Sequence, residues 1–135
     1  MSWLPRPLRV MSFRLAAASP SWPVEPSDLW VHGASLGEIA AAGSLLEVLG
    51  DDGPTVYLTS GTPEGLERAE ARGIGHGRGP GPIDRLSTIR LLARLRPRAI
   101  WLVESELWPG MLAAAADARI FETIWNQHDL SLIEE

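Results

Sequence analysis

The chain has 135 residues, about the length of one domain, with 45% hydrophobic residues, 21% charged residues and a net charge of −5 at pH 7. This composition excludes a wholly disordered chain, and the acidic charge argues against a nucleic-acid-binding protein that depends on bulk electrostatics. Because the sequence contains neither cysteine nor lysine, it excludes disulfides, thiolate zinc sites, thiol catalysis and lysine Schiff bases.

Residues 1–27 form a distinct N-terminal segment that ends in a proline-rich linker at 19–27. Its first half mixes apolar side chains with three arginines, whose charges break any signal-peptide core. A basic, apolar segment of this kind can lie at a membrane interface, whereas Pro5 and Pro7 favour a loosely packed arm. No apolar run in the sequence approaches the ~18 residues that a membrane-spanning helix needs.

Strands and helices alternate along the rest of the chain, which predicts a doubly wound, Rossmann-like parallel α/β sheet. Thr62 and Pro63 are expected to be the N-cap and first residue of a helix, and 73–82 is expected to be mainly loop with room for a weak strand. The predicted strands are 29–32, 55–59, 99–103 and 119–125, and the predicted helices are 36–49, 62–72, 84–95 and 109–116. In the helix at 84–95, the predicted core-facing residues are Leu86, Ile89, Leu92 and Ala93.

Carboxylates follow two of the predicted strands. The strand at 29–32 leads into a turn that contains Glu38, and the strand at 99–103 leads into Glu104 and Glu106. In a Rossmann-like order these strands are neighbours, so Glu38 is expected to lie across a crevice from Glu104 or Glu106. Burial at such a point raises the pKa of a carboxylate, which suits a general acid or base.

A structural interpretation of the same carboxylates stays open. Ser35 to Glu38 matches the S-x-x-E capping box, and a glutamate in the first turn also complements the helix dipole. Glu104 and Glu106 could lie in an exposed loop or cap the helix that begins at Pro109.

Other motifs are weaker. Gly33 and Gly37 bracket a turn that could hold an anion, but the pattern is not the G-x-G-x-x-G of dinucleotide-binding proteins. The five glycines in 73–81 could cradle a phosphate, although a flexible loop is the simpler interpretation. Neither a metal site nor a cofactor is predicted, since the three histidines lack metal-ligand spacing. They are His32, His76 and His128.

Three blocks of the sequence occur in the order and spacing of a known family: LWVHGASLGE at 29–38, LTSGTPEGLER at 58–68 and RPRAIWLVESELWPG at 96–110. They are similar to that family's W-[IV]-H-x-x-S-[VL]-G-E, T-T-x-T-P-T-G-x-E-R, and R-P-K followed by a strand and M-E-T-E-L-W-P-N. Through these blocks, residues 28–116 resemble the N-terminal domain of the 3-deoxy-D-manno-octulosonic acid (Kdo) transferases.

The resemblance implies a two-domain glycosyltransferase of the GT-B type that works in lipopolysaccharide biosynthesis. Its N-terminal domain binds the lipid A precursor acceptor, its C-terminal domain binds the CMP-Kdo donor, and neither a metal nor a cofactor is required. By position, Glu38 would be the general base and Glu104 would stabilise the transition state. The implied acceptor-binding residues are Ser35, Gly37, Thr59, Thr62, Gly65, Glu106 and Trp108.

The chain also departs from the family's pattern. Glu64 stands where the family has threonine, Gly110 where it has asparagine, and 117–135 form an unmatched tail. Because the donor-binding domain is expected to be missing, the resemblance implies a truncated chain that is inactive alone, located in the cytoplasm or at the cytoplasmic face of the inner membrane. The alternative is a non-catalytic module that binds a phosphoglycolipid, or a decayed remnant.

Overall fold

A computed structural model of the protein describes residues 5–19, 22–103, 116 and 121–125. The helices are α1 (Arg6–Leu15), α2 (Leu36–Leu49), α3 (Pro63–Arg72) and α4 (Arg85–Leu95), and a 3-10 turn at Ala16–Ala18 follows α1. The strands are β1 (Leu29–Gly33), β2 (Val56–Ser60), β3 (Gly77–Pro80), β4 (Ala99–Val103) and β5 (Phe121–Trp125). The helix predicted at 109–116 lies outside the described residues, except for residue 116.

The five strands form one parallel sheet in the order β3-β2-β1-β4-β5. This arrangement confirms the predicted α/β fold and the predicted pairing of the first strand with the strand at 99–103. Strand β1 lies between β2 and β4, in a register that pairs Gly33 with both Ser60 and Val103. The carboxyl ends of the three central strands therefore lie side by side at one edge of the sheet.

The core has two layers, one on each face of the sheet. Every residue of β1 and β2 is buried, as expected for parallel strands covered by helices on both faces. Burying a large apolar side chain contributes about 1.5–3 kcal/mol, so the central strands carry much of the folding energy. On the face of α2 and α3, the buried residues are Leu29, Val31, Ile39, Ala42, Leu45, Val56, Leu58, Ala69 and Val103. On the face of α4, they are Trp30, Tyr57, Leu91, Leu92, Leu95, Ile100 and Leu102.

The predicted core face of α4 is right at Leu92, which is buried, and wrong at Leu86, Ile89 and Ala93. Leu86 and Ile89 are exposed, whereas Ser87 and Thr88 are buried together with the leucines of the second layer. The side chains of Ser87 and Thr88 both donate hydrogen bonds to the carbonyl of Asp84, at 3.1 and 2.7 Å. Because these local bonds satisfy the two hydroxyls, burying them costs little.

The described part of the N-terminal segment, 5–19 and 22–27, packs against the sheet domain rather than forming a loose arm. Pro5 and Pro7 lie at the N-cap and second position of α1, where a missing N–H does no harm. Arg14 is buried, and its guanidinium donates to the carbonyls of Gly81 at 3.3 Å and Pro82 at 2.6 Å. Among the helices of the described residues, none is long and apolar enough to cross a membrane.

Strand β3 occupies the segment expected to be mainly loop. Its backbone pairs with β2, and Gly79 packs against the hydroxyl of Tyr57 and the indole nitrogen of Trp22. A side chain at Gly79 would overlap both groups, so the sequence needs glycine there. Burial raises the pKa of Tyr57 to about 12, although a hydrogen bond with Trp22 and the charge of Arg94 oppose the shift.

Candidate functional site

The turn between β1 and α2 carries the first predicted catalytic residue. Glu38 lies in the first turn of α2 with only 6% of its surface exposed. The backbone N–H of Ala34 donates a hydrogen bond to Glu38 Oε2, with 2.5 Å between the two atoms. This contact fixes the carboxylate at the carboxyl end of β1, the edge at which open α/β sheets bind ligands.

The capping box expected in this turn does not form. Ser35 is the N-cap of α2, but its side chain makes no capping hydrogen bond. Glu38 accepts its bond from the amide of Ala34, one residue before the N-cap. Ser35 and Gly37 are both exposed, so the turn presents an exposed hydroxyl and an exposed backbone beside a buried carboxylate.

The turn between β2 and α3 carries the second predicted group. Thr62 is the N-cap of α3 as predicted, and its hydroxyl accepts a hydrogen bond from the amide of Gly65 at 3.2 Å. The Ser60 hydroxyl donates to the Thr62 carbonyl at 2.9 Å and accepts from the Thr62 amide at 3.2 Å. Gly65 is buried, and a Cβ on it would overlap Ser60 Oγ. These contacts hold the turn in one conformation.

The two turns lie against each other. The amide of Gly61 donates to the carbonyl of Gly33 at 3.0 Å, and a Cβ on Gly61 would lie 2.6 Å from the carbonyl oxygen of Ala34. The structure therefore brings the Ser35–Glu38 turn and the Thr62 turn together at one edge.

Thr59 lies beneath this edge rather than on it. It is fully buried, and its Oγ1 accepts a hydrogen bond from Trp30 Nε1 at 2.8 Å and lies 2.7 Å from His32 Nδ1. Sequence reasoning considered His32 as a metal ligand, predicted no metal site, assigned His32 no other role and so missed this contact. The available signal was a polar residue near the end of each of two strands that a Rossmann-like order places side by side.

The charge of Glu64 is compensated within the structure. Its carboxylate lies 3.0 Å from Arg6 Nη1, so α1 is tied to the first turn of α3. The pKa of Glu64 is lower than usual, first because the carboxylate accepts a hydrogen bond from its own backbone amide and then because of Arg6 and Arg9. The departure from the family's threonine therefore adds less negative charge to this edge than the sequence suggested.

Three predicted residues, Glu104, Glu106 and Trp108, lie outside the described residues. Val103, which precedes Glu104, pairs with Gly33 in the sheet. The predicted convergence of Glu38 with Glu104 or Glu106 stays a prediction.

Two further observations concern metal binding and the position of a groove relative to the site. In the described part of the chain, no group of three or more acidic or histidine side chains is placed to hold a metal ion. A groove of about 670 Å³ lies between the end of α2 and the segment from Arg72 to His76, at the amino ends of β2 and β3. None of the predicted site residues that the structure describes lines this groove, so it is separate from the edge described above.

Comparisons with known proteins cover most of the chain. A family model described as 3-deoxy-D-manno-octulosonic-acid transferase (kdotransferase) matches residues 9–126. A 3-deoxy-D-manno-octulosonic acid transferase of Bordetella pertussis is 39% identical over 97 residues, which are 66% of this chain and 22% of the relative. One of Haemophilus influenzae is 33% identical over 92 residues, which are 64% of this chain and 21% of the relative. The chain thus matches about a fifth of the length of these curated relatives.

Proposed function

Because the chain belongs to the Kdo transferase family, we propose that it is the acceptor-binding domain of a glycosyltransferase that moves Kdo from CMP-Kdo to a lipid A precursor. The observation that carries the proposal is the position of Glu38, a buried carboxylate held by a backbone amide at the carboxyl edge of the sheet. Two turns that meet at Gly61 provide the surrounding surface.

The proposed chemistry needs one base. Glu38 takes the proton from the acceptor hydroxyl, the hydroxyl oxygen bonds to the anomeric carbon of Kdo, and CMP leaves with the electron pair of the broken bond, which inverts the anomeric centre. The amide of Ala34 orients the carboxylate for this step. Since the nucleotide is already a good leaving group, no general acid is required. We propose that Glu104 stabilises the transition state, on the strength of its position in the family motif.

The exposed parts of the two turns would bind the acceptor. Ser35, Gly37 and Thr62 supply a hydroxyl, an accessible backbone and a partly exposed hydroxyl. Gly65 and Thr59 are buried and contribute indirectly: Gly65 fixes the turn between β2 and α3, and Thr59 fixes the end of β2. Glu106 and Trp108 complete the proposed acceptor site by their positions in the motif.

We also propose that α1 lies on the cytoplasmic face of the inner membrane. Leu8, Met11 and Leu15 are about half exposed and recur at spacings of three and four residues, so they share one face of the helix. An exposed apolar stripe beside arginines suits an interface that contains anionic lipids. Replacing Leu8 and Met11 by serine should reduce binding to anionic vesicles, and unchanged binding would contradict this proposal.

The main experiment compares acceptor binding with transfer. The probe is the phosphorylated glucosamine disaccharide of lipid A without its acyl chains, and the dephosphorylated disaccharide is the control. In Glu38→Gln, we expect the affinity for the probe to stay within about threefold of the wild type. Transfer, measured with a supplied donor-binding domain and CMP-Kdo, should fall about 10²–10⁴-fold, the usual contribution of a general base. Undiminished transfer by Glu38→Gln would show that Glu38 is not the general base.

One observation favours the alternative of a non-catalytic phosphoglycolipid-binding module. The bond between Ala34 and Glu38 ties down the start of α2, and this role needs no chemistry. The alternative predicts that wild type and Glu38→Gln bind the probe equally and that neither supports transfer with any donor-binding domain.

A further inference from the structure

A cluster of three buried polar side chains lies directly beneath the proposed acceptor edge. Trp30 and Thr59 are fully buried, and His32 is 2% exposed. Strand register places Thr59 opposite His32. Interior positions of a parallel strand are usually aliphatic, and burying an imidazole or a hydroxyl is costly unless each polar atom has a partner. The hydrogen bonds within this cluster therefore offset the free-energy cost of burying its polar side chains.

The partners of Thr59 determine which ring nitrogen of His32 carries the proton. The indole N–H of Trp30 can only donate, so it uses a lone pair of Thr59 Oγ1. The hydroxyl hydrogen of Thr59 then needs an acceptor, and His32 Nδ1 lies 2.7 Å away. If Nδ1 carried a proton instead, the buried hydroxyl hydrogen would face a second donor and lose its bond. The cluster thus selects a neutral imidazole with its proton on Nε2.

The same ring also contacts the loop between β3 and α4. A Cβ on Gly81 would overlap His32 Cε1, so the ring packs directly on the Gly81 backbone. The amide of Gly81 donates to the carbonyl of Ser60 at 2.7 Å, and Arg14 Nε donates to the carbonyl of Gly81 at 3.3 Å. His32 consequently contacts Thr59 near the end of β2 and Gly81 in the segment that follows β3. Gly81 is itself bonded to Ser60, the last residue of β2, and His32 lies two residues before Ala34, where the turn that carries Glu38 begins.

We propose that His32 is a positioning residue of the acceptor edge, held by Thr59 as the neutral Nε2–H tautomer so that the turns after β1, β2 and β3 keep their relative placement. This role rests on the proposed function, because the placed turns are those that would bind the acceptor. His32 acts through Thr59 and Gly81 and need not touch the acceptor itself.

The tautomer can be measured without any acceptor. Nitrogen-15 NMR of the full chain reports which imidazole nitrogen carries hydrogen, and the signals missing from the spectrum of His32→Asn identify His32. We expect the Nε2–H form in the wild type and in Thr59→Ser, which keeps the hydroxyl, and loss of that preference in Thr59→Val. An Nδ1–H or charged imidazole in the wild type at neutral pH would overturn the proposal.

Affinity for the phosphorylated disaccharide tests the positioning role. His32→Leu should weaken binding about tenfold, whereas His32→Asn, whose side-chain oxygen can accept from Thr59 as Nδ1 does, should stay within about threefold of the wild type. If His32→Leu does not fold, Thr59→Val provides the same comparison against Thr59→Ser. Folded His32→Leu that binds as tightly as the wild type would refute the role. Failure of the wild type to bind the disaccharide would refute the proposed function instead, while the NMR measurement would still decide the tautomer.

Discussion

Helices α2 and α4 both begin with a polar N-cap residue that is followed three positions later by a second polar residue, but only α4 forms a capping box. At α4, Asp84 accepts from the amide of Ser87 at 2.8 Å, and the Ser87 hydroxyl accepts from the amide of Asp84 at 3.0 Å, which completes a reciprocal capping box. At α2, the Ser35 side chain makes no cap, and Glu38 bonds to the amide of Ala34. Only the helix without a completed box carries a proposed catalytic residue.

The difference indicates how the two turns divide stability and function. The polar groups at the start of α4 satisfy one another and leave little capacity for a ligand. The start of α2 leaves the Ser35 side chain exposed and without a capping hydrogen bond, and Glu38 accepts from the Ala34 amide rather than completing a box. An arrangement that gives up local stability in this way is expected at a binding site.

The largest effect should come from the backbone contact that joins the α2 turn to the α3 turn. In Gly61→Ala, the new Cβ would lie 2.6 Å from the Ala34 carbonyl oxygen, and neither backbone can move freely. We expect a loss of roughly 1–3 kcal/mol in the free energy of unfolding, measured by urea denaturation.

Gly43→Ala is the matched control for this change. Its Cβ would meet only the flexible end of Ile74, at 2.9 Å, and alanine favours the helix interior by up to about 1 kcal/mol. This variant should be about as stable as the wild type or slightly more stable. Equal losses in Gly61→Ala and Gly43→Ala would show that the two turns are not in tight contact.

The next largest effect comes from removing the N-cap side chain of α4, and the same change at α2 provides the comparison. Asp84→Ala removes a formed cap and should cost about 1 kcal/mol of unfolding free energy, within the usual range of about 0.5–2 kcal/mol. Ser35→Ala removes no capping bond and should cost less than about 0.5 kcal/mol. For affinity toward the phosphorylated disaccharide the order should reverse, with the larger loss in Ser35→Ala. If Ser35→Ala is the more destabilised variant, our distinction between the two starts is wrong.

Much of the fold was predictable because its signals are local. The helix at 36–49 and the strand at 99–103 have the predicted bounds, since an apolar pattern and a terminating residue define each of them. Strand β3 contains no β-branched or aromatic residue, so its pairing with β2 leaves little trace in the sequence. Helix α1 was obscured by prolines that are harmful only in a helix interior.

The sequence predicted the residues of the candidate site that lie in family motifs, but it did not predict their long-range contacts. The family motif identified Glu38 and Thr62, and the structure places them in adjoining turns. The contact between His32 and Thr59 depends on strand register, and the bond from Arg14 to Pro82 joins residues 68 positions apart. No local pattern encodes such distances. The polar residues buried in α4 were missed because their partner is a backbone carbonyl.

A smaller effect concerns pH. Hydrogen bonds from Ser87, first from its backbone and then from its side chain, lower the pKa of Asp84. A carboxylate with a lowered pKa in the folded state stabilises the fold above its unfolded pKa of about 3.9, and this contribution is lost as pH falls through the folded value. Asp84→Asn keeps a capping oxygen but cannot titrate, so its stability should fall less steeply below about pH 4. Since Asp84 is exposed, the difference should be only a few tenths of a kcal/mol.

A second carboxylate, Asp28, contributes to the acid-induced loss of stability in both proteins of the pH comparison. The pKa of Asp28 is also lowered, first by the backbone amide of Thr55, and this carboxylate titrates in both variants. The acid-induced loss should therefore persist in reduced form in Asp84→Asn. Identical urea midpoints at every pH in the two proteins would show that the α4 cap does not depend on charge.

The smallest effect on stability is expected at the start of α3, where Arg6 pairs with Glu64. Their side chains are 60% and 46% exposed, so Arg6→Ala should change the unfolding free energy by less than about 0.5 kcal/mol, and high salt should remove the difference. The same change leaves Glu64 less neutralised beside the proposed acceptor site. Affinity for the phosphorylated disaccharide should therefore fall while affinity for the dephosphorylated control stays constant. If both sugars lose affinity equally, Arg6 supports the turn through the placement of α1 rather than through charge.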